Sequence, residues 1–257
     1  MKSIKVLMLG DVSGDPGKRA LFLGLSSLVK ITGASLVVVN GENAAQGFGI
    51  ECEDYYSFKQ MGVDVITSGN HIWQRSEIYP LLDSQKDLLR PINYTSSVPG
   101  HGVCTLEKDG IKFAVVNVQG RVDMPITEDP FKISRQEIEK LNKQGYITLV
   151  DLHAESSTEK EALAFHLDGI CSAVVGTHTH VQTMDERILP QGTAYITDIG
   201  MTGVQDMVIG SDPTVSIHRQ LTQVPVRSVV AEGNGVIKGV LIEIDTETRR
   251  AIKIERI

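Results

Sequence analysis

Five short apolar stretches, each running into residues able to hold a metal or move a proton, constrain this chain more than any other feature. Ile4 to Gly10 leads to Asp11, Ala34 to Asn40 to Gly41-Glu42-Asn43, and Val63 to Thr67 to Gly69-Asn70-His71. Tyr146 to Leu152 meets His153, and Ile170 to Val175 opens Gly176-Thr177-His178-Thr179-His180. Their length and β-branched content predict buried strands, and α/β folds keep their chemistry beyond strand ends. Such a fold brings Asp, Glu, Asn and His to one edge, a mixture of hard oxygen and borderline imidazole donors that suits one or two divalent metals.

Helical signals fill the intervals. Asp15-Pro16 predicts an N-cap and first-turn proline, followed by Leu21, Leu25, Leu28 and Val29 at helical spacing. A second helix is expected from Glu53 to Met61, stopped by Gly62, and a short amphipathic one over Ile133 to Leu141. Ser156 and Glu159 read as a capping box for a helix through Leu167, closed by Gly169. Gly102 to Leu106 and Lys112 to Val118, joined through Lys108-Asp109-Gly110, predict a hairpin, so the sheets are mixed. Ala194 to Ile199 reads as a strand, and Gly235 to Ile244 with Ala251 to Ile257 as a closing hairpin. Thr202 to Val230 shows no clean period. The expectation is one α/β domain over 1–257, a layered sandwich of mixed sheets flanked by helices.

Composition excludes several function classes. With 25 Lys and Arg against 32 Asp and Glu, the net charge of -7 argues against stable binding to nucleic acid or an anionic membrane. Cys52, Cys104 and Cys171 are scattered, with no Cys-x-x-Cys pair, which fits a reducing cytoplasm rather than a disulfide framework or zinc knuckle. The opening Met-Lys-Ser-Ile-Lys resembles a signal-peptide start, but the following apolar run is broken by Asp11 and has no small-residue cleavage site, so it reads as a core strand.

Each candidate has a plainer role. Asp11 alone is an ordinary turn residue, Glu42 and Asn43 could be loop polarity, and Asn70 with His71 could be a left-handed turn beside an exposed imidazole. His178 and His180, one residue apart, would aim the same way from an extended backbone. His153 is the weakest alone. His101 in a glycine-rich turn, His166 near a helix C-terminus and His218 in the unpatterned region are assigned no chemistry, Cys171 is read as a small buried hydrophobe, and Trp73 as packing.

Taken together, Asp11, Gly41-Glu42-Asn43, Gly69-Asn70-His71, His153-Ala154-Glu155 and Gly176-Thr177-His178-Thr179-His180 resemble the calcineurin-like metallophosphoesterases, and more closely their bacterial YmdB-type branch. Asn40 to Ala45, Gly69 to Trp73 and Ile199 to Gly203 look like that branch's own signatures. The chain departs from the wider superfamily in carrying Ser13 where its first motif has histidine, and Gly41-Glu42-Asn43 where it has Gly-Asp-x-x-Asp. The resemblance implies that Asp11, Asn43 and His180 hold one metal, that Asn70, His153 and His178 hold the other, and that Glu42 bridges both. It leaves His71 as proton donor.

The implied cofactor is a pair of divalent or mixed-valence transition-metal ions, Fe or Mn foremost, with Zn and Co compatible with the donor set. Cations about 3.5 to 4 Å apart can acidify a shared water and offset charge on phosphoryl oxygens. The expected activity is hydrolysis of small phosphodiesters such as cyclic nucleotides, with homo-oligomerisation left open. A phosphomonoesterase is the nearest alternative, although Arg75 is the one basic residue immediately beside a motif. A regulatory protein that binds metal or nucleotide without turnover is the alternative of another class, and it gives no reason for a free imidazole at His71.

Overall fold

The computed structural model describes residues 2–257. In chain order the strands are β1 Ser3–Leu9, β2 Asp11–Val12, β3 Leu36–Asn40, β4 Val65–Thr67, β5 Val103–Lys108, β6 Ile111–Gln119 and β7 Ile147–His153. They continue with β8 Ala173–Thr177, β9 Arg187–Ile188, β10 Ala194–Ile196, β11 Met201–Thr202, β12 Gly239–Asp245 and β13 Ala251–Arg256. The α-helices are α1 Gly14–Thr32, α2 Cys52–Gln60, α3 Tyr79–Ser84, α4 Pro130–Lys143, α5 Ser157–Leu167 and α6 Pro213–Thr222.

Two large sheets face each other. One has the order β13-β12-β1-β3-β4, with β1, β3 and β4 parallel and β12 antiparallel to β1. The other runs β5-β6-β7-β8-β10-β9, parallel from β6 through β10. Strand alternation sorts the apolar residues into layers. Ile4, Val6 and Met8 of β1 meet Phe113, Val115 and Leu149 of the opposite sheet in a central cluster. Leu7 and Leu9 turn outward to Leu21 and Leu25 of α1, while Val116, Val150 and Leu152 pack against Ile138 of α4 and Leu163 of α5. The product is a helix, sheet, sheet, helix sandwich, the layered architecture of mixed sheets that the sequence leads one to expect.

Local rules explain the element ends. Asp109 and Gly110 both have positive φ, 53° and 75°, making the tight turn that joins β5 to β6. Three expectations are corrected. Helix α1 starts at Gly14 with Ser13 as N-cap, and Asp15 instead pairs with Lys18 at 3.0 Å. Only half of the expected capping box forms: Ser156 Oγ accepts from the Glu159 amide, but the Glu159 carboxylate turns away to accept from the amides of Arg121 and Val122. The unpatterned region contains α6, whose N-cap Asp212 accepts from the amides of Thr214 and Val215 and whose proline occupies the first turn. No α6 residue is buried, so no core contact imposed a readable period.

Candidate metal centre

The C-terminal ends of parallel strands from both sheets converge on one cluster. Asp11 begins β2 directly beyond β1, Glu42 and Asn43 follow β3, and Asn70 and His71 lie beyond β4. His153 is the last residue of β7, and His178 and His180 follow β8. Asp11, Glu42 and His153 are fully buried, and Asn43 is nearly so.

One side of the cluster gathers around His180. Its Nε2 stands 3.2 Å from Asp11 Oδ2 and 3.1 Å from Asn43 Nδ2. Its Nδ1–H donates to the Ile209 carbonyl at 3.2 Å, which leaves Nε2 as the inward-facing nitrogen. The other side gathers around His153, whose Nε2 is 3.1 Å from each of Asn70 Oδ1, His178 Nδ1 and Glu42 Oε1. Its Nδ1–H donates to Thr177 Oγ1 at 2.9 Å, and Thr177 passes its own hydrogen to Asp151 Oδ1 at 2.7 Å. Thr67 also donates to Asp151, and Asn40 Nδ2 reaches it at 3.1 Å. This buttress fixes the ring as outer partners of metal-ligating histidines do. Gly69 leaves the ring its space, because a Cβ there would fall 2.0 Å from His153 Cδ2.

Glu42 lies between the two sides. Its Oε2 accepts the His71 amide at 3.0 Å, while Oε1 has His153 and His71 nearby without a well-directed hydrogen bond. Asp11 Oδ1 is likewise buried without a partner. Orphaned buried carboxylate oxygens are costly unless a cation answers them, so the donor set fits divalent ions. Glu42, His153 and His178 present one ligand atom each, all within 4.8 Å of one another.

The electrostatics express the same demand. Burial would push Glu42 upward, but the charges of His153 and His71 outweigh it and hold the carboxyl well below its ordinary range. Burial would lower His153, yet Glu42 prevails and raises it to about 9. Burial and the charge on His153 together depress His178 to about 4. Burial lifts Asp151 to about 6 against the hydrogen bond from Thr67.

The backbone at the two histidines differs from expectation. His178 and His180 have φ of 97° and 65°, so no extended segment aims them alike. His178 Nδ1 turns to His153 while its Nε2 meets Glu155 Oε2 at 3.2 Å, and His180 turns the other way to Asp11. Asp198 pins this turn by accepting from the Thr179 amide at 3.0 Å and the Thr179 hydroxyl at 2.8 Å. The fully buried Lys160 neutralises Asp198 at 2.9 Å. Sequence reading missed Asp198 and Ile209, whose partners lie far along the chain, although Asp198 adjoins the Ile199 to Gly203 signature; Glu155 was named in the His153-Ala154-Glu155 motif but given no role.

His71 sits at the mouth, its Nδ1 2.6 Å from Asn43 Oδ1. Neither Asn70 nor His71 has positive φ, so the left-handed turn does not occur. Arg75 bonds the carbonyls of Phe48 and Ala45 at 3.3 Å, stapling the Glu42 loop rather than lining the site. Trp73 packs edge-on against Tyr79 and Tyr94, and Cys171 is buried in the apolar cluster under α4 and α5. His101, His166 and His218 lie outside the cavity at the cluster.

A family model described as YmdB-like protein matches residues 7–257. The chain belongs to the YmdB-like family. It is 44% identical over 254 residues to the 2',3'-cyclic-nucleotide 2'-phosphodiesterase of Bacillus subtilis (strain 168), covering 99% of this chain and 96% of that protein. A crystal structure described as a novel phosphatase from Mycoplasma pneumoniae superposes with a TM-score of 0.93 at 36% identity, covering 100% of this chain and 93% of the other. The NAD nucleotidase of Haemophilus influenzae shares the fold alone: its TM-score is 0.59 at 14% identity, over 99% of this chain and 55% of that one.

Proposed function

We propose that this YmdB-like chain is a phosphoric ester hydrolase, specifically a dimetal phosphodiesterase acting on small phosphodiesters such as cyclic nucleotides. The observation that carries the reading is the convergence of Asp11, Glu42, Asn43, Asn70, His153, His178 and His180 around orphaned buried carboxylate oxygens, with His71 alongside. The phosphodiesterase named among its relatives supports the substrate class.

Asp11, Asn43 and His180 would hold one ion, and Asn70, His153 and His178 the other, with Glu42 shared between them. Fe or Mn is the assignment that the family resemblance favours, with Zn or Co compatible with the same donors. Bound divalent ions supply an acidified water and positive charge beside the phosphoryl oxygens. Thr177, Asp151 and Ile209 orient the imidazoles that face them, and Glu42 takes the His71 amide. His71 has Nδ1 tied to Asn43, which leaves Nε2 to hand a proton to the departing alkoxide. Among the described residues no helix is long and apolar enough to cross a membrane; the three free, scattered cysteines support a reducing cytoplasm as the enzyme's compartment.

A substrate panel tests the reading: purified protein with quantified metals, assayed against cyclic mononucleotides, linear diesters and phosphate monoesters. Turnover of cyclic diesters well above that of monoesters is expected. Turnover of monoesters alone would make the protein a phosphomonoesterase, and tight nucleotide binding without hydrolysis would make it a regulatory binder.

A further inference from the structure

We propose that Phe48 and Arg219 read the two halves of a nucleotide substrate, Phe48 stacking on the base and Arg219 gripping the phosphate; this rests on the phosphodiesterase reading above. The cavity over the metal-centre residues has a volume of about 410 Å³, within the range of small-molecule sites. Among the described residues lining it, Phe48 is the one Phe, Tyr or Trp and Arg219 the one Lys or Arg. Neither was singled out by its sequence context.

Core packing does not account for Phe48. It is half-buried, belongs to none of the three apolar clusters, and has polar neighbours. Its ring centroid is 5.0 Å from that of His71, and the Arg227 guanidinium lies 5.4 Å from the ring centre. Gly47 and Gly49, with φ of 84° and 87°, kink the chain on either side, and Arg75 holds the Phe48 carbonyl from behind. The result is a fixed ring beside the proton donor, with a face that already takes a planar, delocalised group. A nucleobase is such a group, and the exposed Arg227 side chain can give way to it or cover it.

Arg219 also lines the cavity, on a helix that buries none of its own side chains. Its Nη1 makes a long contact of 3.5 Å to Ser228 Oγ, which leaves most of the guanidinium's donors unused. Glu42 and Glu155 also line the cavity, so an entering anion meets carboxylates as well as any bound cations. A guanidinium can bond non-bridging phosphate oxygens through paired N–H groups, and a single one matches the single charge of a diester.

The test compares adenosine 2',3'-cyclic phosphate with ribose 2',3'-cyclic phosphate, which lacks the base, using the metal-loaded full chain. Phe48→Leu should lower kcat/KM about 10- to 100-fold on the adenosine compound and leave the ribose compound within about threefold, the range that loss of one aromatic stack implies. Phe48→Tyr keeps the π-face and should keep the wild-type preference. Arg219→Gln should raise KM on both substrates by similar factors. Equal losses on both substrates in Phe48→Leu would mean that the ring acts through His71, and would overturn its role as base reader. An unchanged KM in Arg219→Gln would overturn the phosphate assignment. Wild-type protein hydrolysing both compounds equally well would overturn base reading while leaving the phosphodiesterase reading intact. If it hydrolysed neither, that reading itself would fail.

Discussion

Glu42 and His71 illustrate how adjacent groups in one cluster carry different demands. A shared ligand needs two oxygens and a negative charge, so Glu42→Gln should lose bound metal as well as turnover, whereas an Asn43 substitution removes one neutral oxygen and should cost less. Two full metal equivalents in Glu42→Gln, by elemental analysis, would contradict the shared role. His71→Ala should keep both metals and lose about 100- to 10,000-fold in diester hydrolysis, the scale of general acid catalysis. That loss should shrink on a p-nitrophenyl diester, whose leaving group departs without a proton; equal losses on alkyl and aryl diesters would point instead to phosphate positioning. His101→Ala, His166→Ala and His218→Ala should stay within a few-fold of wild type, because all three side chains lie outside the cavity. The eight candidate residues, which the fold brings into one cluster, were legible because each ends or follows an apolar strand. Asp198 was not, since its value lies in Thr179, 19 residues earlier, and in Lys160 on a separate helix.

The turn after β8 depends on a buried ion pair. Asp198 and Lys160 are both fully buried, so removing one partner strands a charge. Asp198→Ala should therefore cost about 3–5 kcal/mol in chemical denaturation, while the double variant with Lys160→Met should cost clearly less than the sum of the single changes. Additive losses would show that the pair is not coupled. Strands and the β5–β6 hairpin were legible because burial on both faces, or a two-residue turn, leaves a local pattern. Helix α6 was not, because a helix that buries no side chain has no core-facing stripe; only Asp212-Pro213 marked its start. The strap carrying α6 still matters to the centre, since Ile209, a β-branched residue held at φ 46°, presents its carbonyl to His180.

The sandwich as a whole explains why the centre needs two sheets. Asp11, Glu42, Asn43 and Asn70 lie just beyond strands β1, β3 and β4 of one sheet, Asp11 in the short β2 paired with β11, whereas His153 ends β7 and His178 and His180 follow β8 of the other. The apolar cluster between the sheets holds oxygen donors and imidazoles opposite one another, and bound cations would tie the layers together. Metal quantification coupled to chelation and re-addition tests this account most directly. The account predicts two transition-metal ions per chain, loss of cyclic-diester hydrolysis when they are removed, and recovery when Fe or Mn is restored. Full hydrolysis by protein verified to be free of divalent ions would contradict it.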